Sequence, residues 1–172
     1  MRGPFRLLAA LRTDVPVLLA GGGTVGTRKA RTLGDAGAKV HLVSPEATEE
    51  LADRAERGEI RWERRRVAAE DFRAHRFAVL ALDEATTREV LPLAEGSGCL
   101  LCCCALPRAG DFALAAQWEH HGFALGVTSG GEDPAGAGAM KRRLKRLLEG
   151  QHGPAGEAHA APGRDDTKER TP

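Results

Sequence analysis

The chain has 172 residues, 42% of them hydrophobic and 28% charged, with a mean hydropathy of −0.32, which fits one soluble globular domain with a small appendage. Its 25 Lys and Arg nearly balance 24 Asp and Glu, and aromatics are only 4% with no tyrosine, so neither a basic footprint nor a base-stacking surface for nucleic acid is expected. No apolar run approaches the roughly 20 residues that cross a bilayer, and Arg12 cuts the stretch Leu7-Leu8-Ala9-Ala10-Leu11 too short for a signal peptide.

From the N-terminus, the first organised stretch is Val17-Leu18-Leu19-Ala20, an apolar strand that breaks into Gly21-Gly22-Gly23-Thr24-Val25-Gly26. Gly21, Gly23 and Gly26 satisfy G-x-G-x-x-G, where missing side chains allow a tight turn, close approach to a pyrophosphate and close helix–strand packing. Arg28 to Ala36 is rich in helix formers, Gly37 is placed to end the helix, and Lys39 to Val43 reads as a second strand. The result is one βαβ unit of about 30 residues with its helix N-terminus at the glycine turn, the arrangement that binds dinucleotides. Glu46, about 20 residues past the third glycine and preceded by Ser44-Pro45, is placed to accept from a ribose 2′-hydroxyl and to repel a 2′-phosphate, so NAD is expected over NADP. Capping the next helix is the alternative use of Glu46.

The alternation continues with a helix over 47–57 opened by Thr48, a half-exposed strand over 60–64, and the run Arg64-Arg65-Arg66. That run reads as a solvated face or an attraction for an acidic ligand. A short helical connection over 69–73 leads to the buried strand Phe77–Leu82. Asp83 follows, as a residue of the ligand crevice or as the cap of the helix over 86–94. Cys99, Cys102, Cys103 and Cys104 fall within the apolar run 98–106. With no second pair to complete a zinc site, they read as small hydrophobes of another buried parallel strand, reduced as in the cytoplasm. No metal site is expected.

Beyond this strand, 111–118 and 123–128 read as two extended segments that extend the sheet or meet a second subunit. Between them His120 and His121 are expected to point apart into solvent. Ser129-Gly130-Gly131 and Pro134 precede a helix over 135–149, whose stripe of Met140, Leu144, Leu147 and Leu148 should pack while its basic face is wet. From 151 to 172 the composition lacks any period and has little to bury. The expected fold is α/β: a Rossmann-like parallel sheet with helices on both faces over 1–111, a strand–strand–helix region for dimerisation or substrate over 112–150, and a disordered tail over 151–172.

In order and spacing, Gly21-Gly22-Gly23-Thr24-Val25 with Arg28-Lys29-Ala30, Val43-Ser44-Pro45-Glu46, Ala81-Leu82-Asp83-Glu84, Asp111-Phe112, and Thr128-Ser129-Gly130-Gly131 with Pro134 resemble the N-terminal module of sirohaem synthase. That family comprises the precorrin-2 dehydrogenases, some of which are also sirohydrochlorin ferrochelatases, and the resemblance runs from about Phe5 to Gly150. It implies a cytoplasmic homodimer that oxidises precorrin-2 to sirohydrochlorin with NAD. NAD would be held by Gly21, Gly22, Gly23, Thr24, Val25, Ser44, Pro45, Glu46 and Asp83. Arg108, Ser129, Gly130, Lys141 and Arg142 would serve the polycarboxylate tetrapyrrole. Longer family members carry a further helical region beyond the equivalent of Glu149. The family's acid–base Asp after the fifth strand falls on Ala105, and the nearest carboxylate, Asp111, lies six positions on. Alanine shuttles no proton, so two alternatives stand beside the dehydrogenase: a non-catalytic NAD- or tetrapyrrole-binding member, and a bifunctional dehydrogenase–ferrochelatase.

Overall fold

The computed structural model describes residues 14–150 together with Leu8 and Arg12. The leader-like stretch, Leu8 aside, and the tail over 151–172 lie outside the described residues. Five strands form one parallel sheet: β1 (Val17–Gly22), β2 (Val40–Ala47), β3 (Ile60–Glu63), β4 (Phe77–Leu80) and β5 (Leu100–Cys103), in the order β3-β2-β1-β4-β5. Near-continuous apolar runs are what such strands require, because helices cover both faces. Val17 and Leu19 of β1 pack with Ala30 and Leu33 of α1 (Thr24–Asp35) and Leu51 of α2 (Glu49–Glu56). Leu18 and Ala20 face the other way, toward Phe72 of α3 (Ala69–Ala74) and Val90 and Ala94 of α4 (Glu84–Ala94). The order reverses at β1, which lies between β2 and β4, and the carboxyl ends of those strands open a crevice there.

Three departures from the sequence expectation concern whole elements. β2 does not stop at Val43. Ala20 pairs with Val43 and Gly22 with Ala47, so β1 advances two residues while β2 advances four, and Ser44-Pro45-Glu46 forms a bulge. A proline without an amide hydrogen is tolerated in an interior strand at such a bulge.

Second, β6 (Ala116–His120) and β7 (Phe123–Val127) form a separate antiparallel hairpin and do not extend the sheet. The backbone explains this. After the 3-10 turn Pro107–Ala109, the Asp111 and Phe112 amides both donate to the Leu101 carbonyl, and the Leu101 amide donates to Asp111 Oδ2 at 3.0 Å. The free edge of β5 is thus consumed by its own continuation. Phe112 packs edge-on against Phe77, at 5.9 Å between ring centres, and 112–115 belong to no strand. The hairpin turns on His121 (φ 49°) and Gly122 (φ 78°), the two left-handed positions of a tight two-residue loop. The two histidine rings do not point apart but pack edge to face, 4.3 Å between centres.

Third, the apolar stripe of α5 (Pro134–Gly150) packs only in part, with Leu144 and Leu148 half-buried. Ala137 is buried, but Met140 is 45% and Leu147 53% exposed. Among the described residues no helix is long and apolar enough to cross a membrane.

The arginine run after β3 is not one solvated face. Arg64 lies over the Trp62 ring at 4.3 Å. Arg65 bridges Glu63 (2.6 Å) and Asp71 (2.7 Å), a carboxylate only 4% exposed, and its Nη1 also donates to the Arg66 carbonyl at 3.1 Å. Burial pushes the Asp71 carboxyl up, but the Arg65 guanidinium and the Ala68 amide outweigh it and hold Asp71 below the usual carboxylate range. Glu63 is held down chiefly by the same guanidinium. Depressed carboxylates contribute stability that is present above their unfolded values and lost as pH falls through the folded ones. Arg65→Ala, which leaves Asp71 buried and unpaired, is therefore expected to cost on the order of 2 kcal/mol at neutral pH. In thermal melts the gap to wild type should be full near pH 7 and narrow below about pH 4.

Candidate functional site

The crevice begins at the turn between β1 and α1. Gly21 holds φ 105°, outside the range of ordinary residues, and a Cβ there would strike the Ala81 carbonyl at the end of β4. A Cβ on Gly22 would collide with the Glu46 carbonyl, and one on Gly26 with the Gly21 carbonyl. These three glycines are demanded by the protein's own packing. Gly23 differs, because a Cβ there would meet no atom within 4 Å and its backbone is extended (φ −79°, ψ −167°). The space beside it is available to a ligand.

Gly23 is the N-cap of α1 and supplies no capping side chain, so the first-turn amides are left for an anion. Neighbouring bonds fix the turn. The Gly22 amide donates to Ser44 Oγ at 3.0 Å, and the Thr48 amide donates to the Gly22 carbonyl at 2.9 Å. Thr27 Oγ1 donates to the Gly23 carbonyl and contacts Thr48 Oγ1 at 2.7 Å. Each hydroxyl has one hydrogen, so Thr48 donates to Thr27 while accepting from the Leu51 amide. The sequence-predicted cap of α2 thereby also braces the glycine turn.

The cleft in front of this turn has a volume of about 620 Å³, ample for part of a dinucleotide. Gly21, Gly22 and Gly23 form its floor, Ser44, Pro45 and Glu46 with Ala47 and Thr48 one wall, and Ala81, Leu82 and Asp83 the other. Asp83 stands where both readings of the sequence placed it. It lines the cleft and caps α4, accepting from the Thr86 hydroxyl (2.6 Å) and amide (2.9 Å), contacts that hold its carboxyl below the ordinary range. Arg66 also lines the cleft. Its only signal in the sequence was membership of the arginine run.

Thr24 and Val25 stand in the exposed first turn of α1, beside the cleft and outside its lining. Ala105 is exposed at the bend after β5. Next to it, Cys104 and Cys102 share the α1 face of the sheet. A hydrogen bond from Cys104 lowers the Cys102 thiol, with Lys29 adding to the effect, while the same bond and burial push Cys104 up. Asp111 is tied to Leu101 on both its backbone and its carboxylate, a structural post for the edge of β5. Arg108 lies on the 3-10 turn, Lys141 and Arg142 on α5, and Ser129 and Gly130 in the turn before it, where Ser129 Oγ accepts from the Asp133 amide at 2.8 Å. None of these five lines the cleft.

Residues 9–116 match a family of proteins described as "Putative NAD(P)-binding". The chain belongs to this NAD(P)-binding family. Its relatives include siroheme synthases and a precorrin-2 dehydrogenase. The siroheme synthase of Chromobacterium violaceum is 38% identical over 137 residues, covering 79% of this chain and 29% of that protein. That of Nitrosococcus oceani is 31% identical over 141 residues, 81% of this chain and 30% of that protein. The chain thus spans about 30% of the length of these synthases. The precorrin-2 dehydrogenase of Bacillus subtilis is 25% identical over 134 residues, 78% of this chain and 83% of that one. Among solved structures, "SirC, precorrin-2 dehydrogenase" shares the fold with a TM-score of 0.65 at 21% identity, covering 86% of this chain and 72% of that one.

The different constraints on the glycines are separable by substitution. Gly23→Val should fold, with a melting temperature lowered only by the small cost of a branched N-cap residue, and lose NAD binding, because the side chain projects into the cleft. Gly26→Ala should instead lose on the order of 1–3 kcal/mol of stability, since helix and turn must move apart. Calorimetric titration with NAD and thermal melts of both variants check this.

Proposed function

We propose that this chain is an NAD-dependent dehydrogenase that oxidises precorrin-2 to sirohydrochlorin in sirohaem biosynthesis. The observation that carries this reading is the uncapped helix N-terminus at a glycine turn on the sheet's switch point, in a chain whose relatives are named siroheme synthase and precorrin-2 dehydrogenase. In this reading the amides around Gly21, Gly22, Gly23, Thr24 and Val25 receive the pyrophosphate, and Ser44, Pro45 and Glu46 receive the adenosine ribose. Asp83 borders the opposite wall. The bound dinucleotide supplies the hydride acceptor; the chain's contribution is binding, orientation and exclusion of competing positions. Arg108, Ser129, Gly130, Lys141 and Arg142 are proposed to meet the substrate's carboxylates. Four free cysteines suit the reducing cytoplasm, where we place the protein.

Oxidation releases a proton along with the hydride, and Ala105 offers no side chain to take it. Because Ala105 is exposed at the strand-end bend, the proton leaves to solvent in this reading. The same exposure means that a carboxylate introduced there stays hydrated and folds without burying a charge. Ala105→Asp should therefore melt like wild type and raise precorrin-2 oxidation, followed as NADH absorbance, by up to the 10²–10⁴-fold typical of a positioned acid–base group. Wild-type turnover that is absent and not restored in a stable Ala105→Asp protein would favour the non-catalytic binding member over the dehydrogenase.

The hairpin and α5 are proposed as the dimerisation region. Phe123 is 73% exposed, Met140 and Leu147 are half uncovered, and Trp118 Nε1 is buried without a hydrogen-bond partner among the described residues. Apolar surface of this kind marks an interaction site. Light scattering on the eluting protein should give the mass of two chains, and Phe123→Glu should shift it toward one.

A further inference from the structure

Each of the three consecutive arginines after β3 has a different setting. Arg64 is stacked on Trp62, and Arg65 is bound to Glu63 and Asp71. Arg66 makes no ion pair among the described residues, and it lines the cleft in the company of Glu46. Its position is set from behind. Arg65 donates to the Arg66 carbonyl while anchored to buried Asp71, whose Oδ2 also accepts from the Ala68 amide at 2.8 Å, and Val67 packs into the core beneath α3 and α4. The loop is pinned on both sides of Arg66, and the Arg66 side chain is left at the cleft.

Glu46 likewise makes no ion pair among the described residues, and the two opposite charges on the cleft are not bound to each other. Each is available to a ligand. An acid at the end of β2 is suited to a ribose 2′-hydroxyl and repels a 2′-phosphate, whereas a guanidinium nearby binds that phosphate through paired charge-assisted hydrogen bonds.

We infer that Arg66 is a specificity-determining residue, which opposes the charge of Glu46 and lets the cleft accept a 2′-phosphorylated dinucleotide beside NAD. The inference rests on the dinucleotide-binding reading of this cleft. The acid makes NAD the preferred ligand, and the arginine keeps that preference narrow.

The test is the dissociation constant of NAD and of NADP, each measured by calorimetry on wild type, Arg66→Ala, Arg66→Lys and Glu46→Gln. Wild type should bind both, NAD more tightly by no more than about tenfold. Arg66→Ala should weaken NADP about tenfold or more, the size of one charge-assisted contact, while NAD changes less than about threefold. Arg66→Lys should recover most of the NADP affinity, and Glu46→Gln should raise it. Melting temperatures should be unchanged in the Arg66 variants, because the side chain holds no ion pair that the fold uses. Equal weakening of both dinucleotides in Arg66→Ala, no change in either, or a wild type that binds NAD but not NADP would overturn the inference and leave the cleft a dinucleotide site. A wild type that binds neither would overturn the dinucleotide reading itself.

Discussion

The contact on which the site depends is backbone against backbone. The turn after β1 is pressed between the end of β2 and the end of β4, with the Gly21 position closed by the Ala81 carbonyl, Gly22 by the Glu46 carbonyl, and Gly26 by the turn itself. No side chain larger than hydrogen fits at these three positions, and only with all three does α1 start where its amides face the crevice. The bulge in β2 is the other half of the same constraint. Its surplus residues bring Ser44 Oγ onto the Gly22 amide and the Glu46 carbonyl over Gly22, so the wall that lines the cleft is also the wall that shapes the turn. The shape of the cleft and the local packing cannot be changed independently here, except at Gly23.

A second layer of polar contacts holds the outer wall. β3 is a short strand at the sheet edge, and the connection from it to α3 has few apolar residues to bury. It is fixed by Arg65 to Asp71 and Glu63, with the Asp71 carboxylate closing on the Ala68 amide. An arginine fork with two carboxylate partners in a partly buried setting is geometrically stiff. The loop that carries Arg66 is therefore ordered through charge, and the stiffness reaches the cleft through one carbonyl.

The C-terminal half follows a different logic. Asp111 seals the edge of β5, which stops the sheet and leaves the hairpin and α5 as a unit packed on itself. Such a unit has too little interior to cover its own apolar residues, and Phe123, Met140 and Leu147 remain outward. Ala105 lies at the exposed bend that follows β5.

The sequence by itself determined the order of the elements, the parallel character of the sheet and the place of the glycine turn. Apolar runs, caps such as Thr48 and the glycine spacing are local signals, readable without partners. It also carried both possible uses of Asp83, since a carboxylate after a buried strand serves a crevice and a helix start alike. Only the tertiary structure decided that Ser44-Pro45-Glu46 is a bulge, because the surplus is defined by pairing against β1. Only it assigned Arg64, Arg65 and Arg66 to an aromatic ring, a buried carboxylate and the cleft, since identical neighbouring side chains are told apart by what other elements bring to them. It alone showed Asp111 to be a post for β5 and the α5 stripe to be covered only in part. Periodicity says which face of a helix is apolar, but whether anything covers that face depends on surfaces remote in sequence.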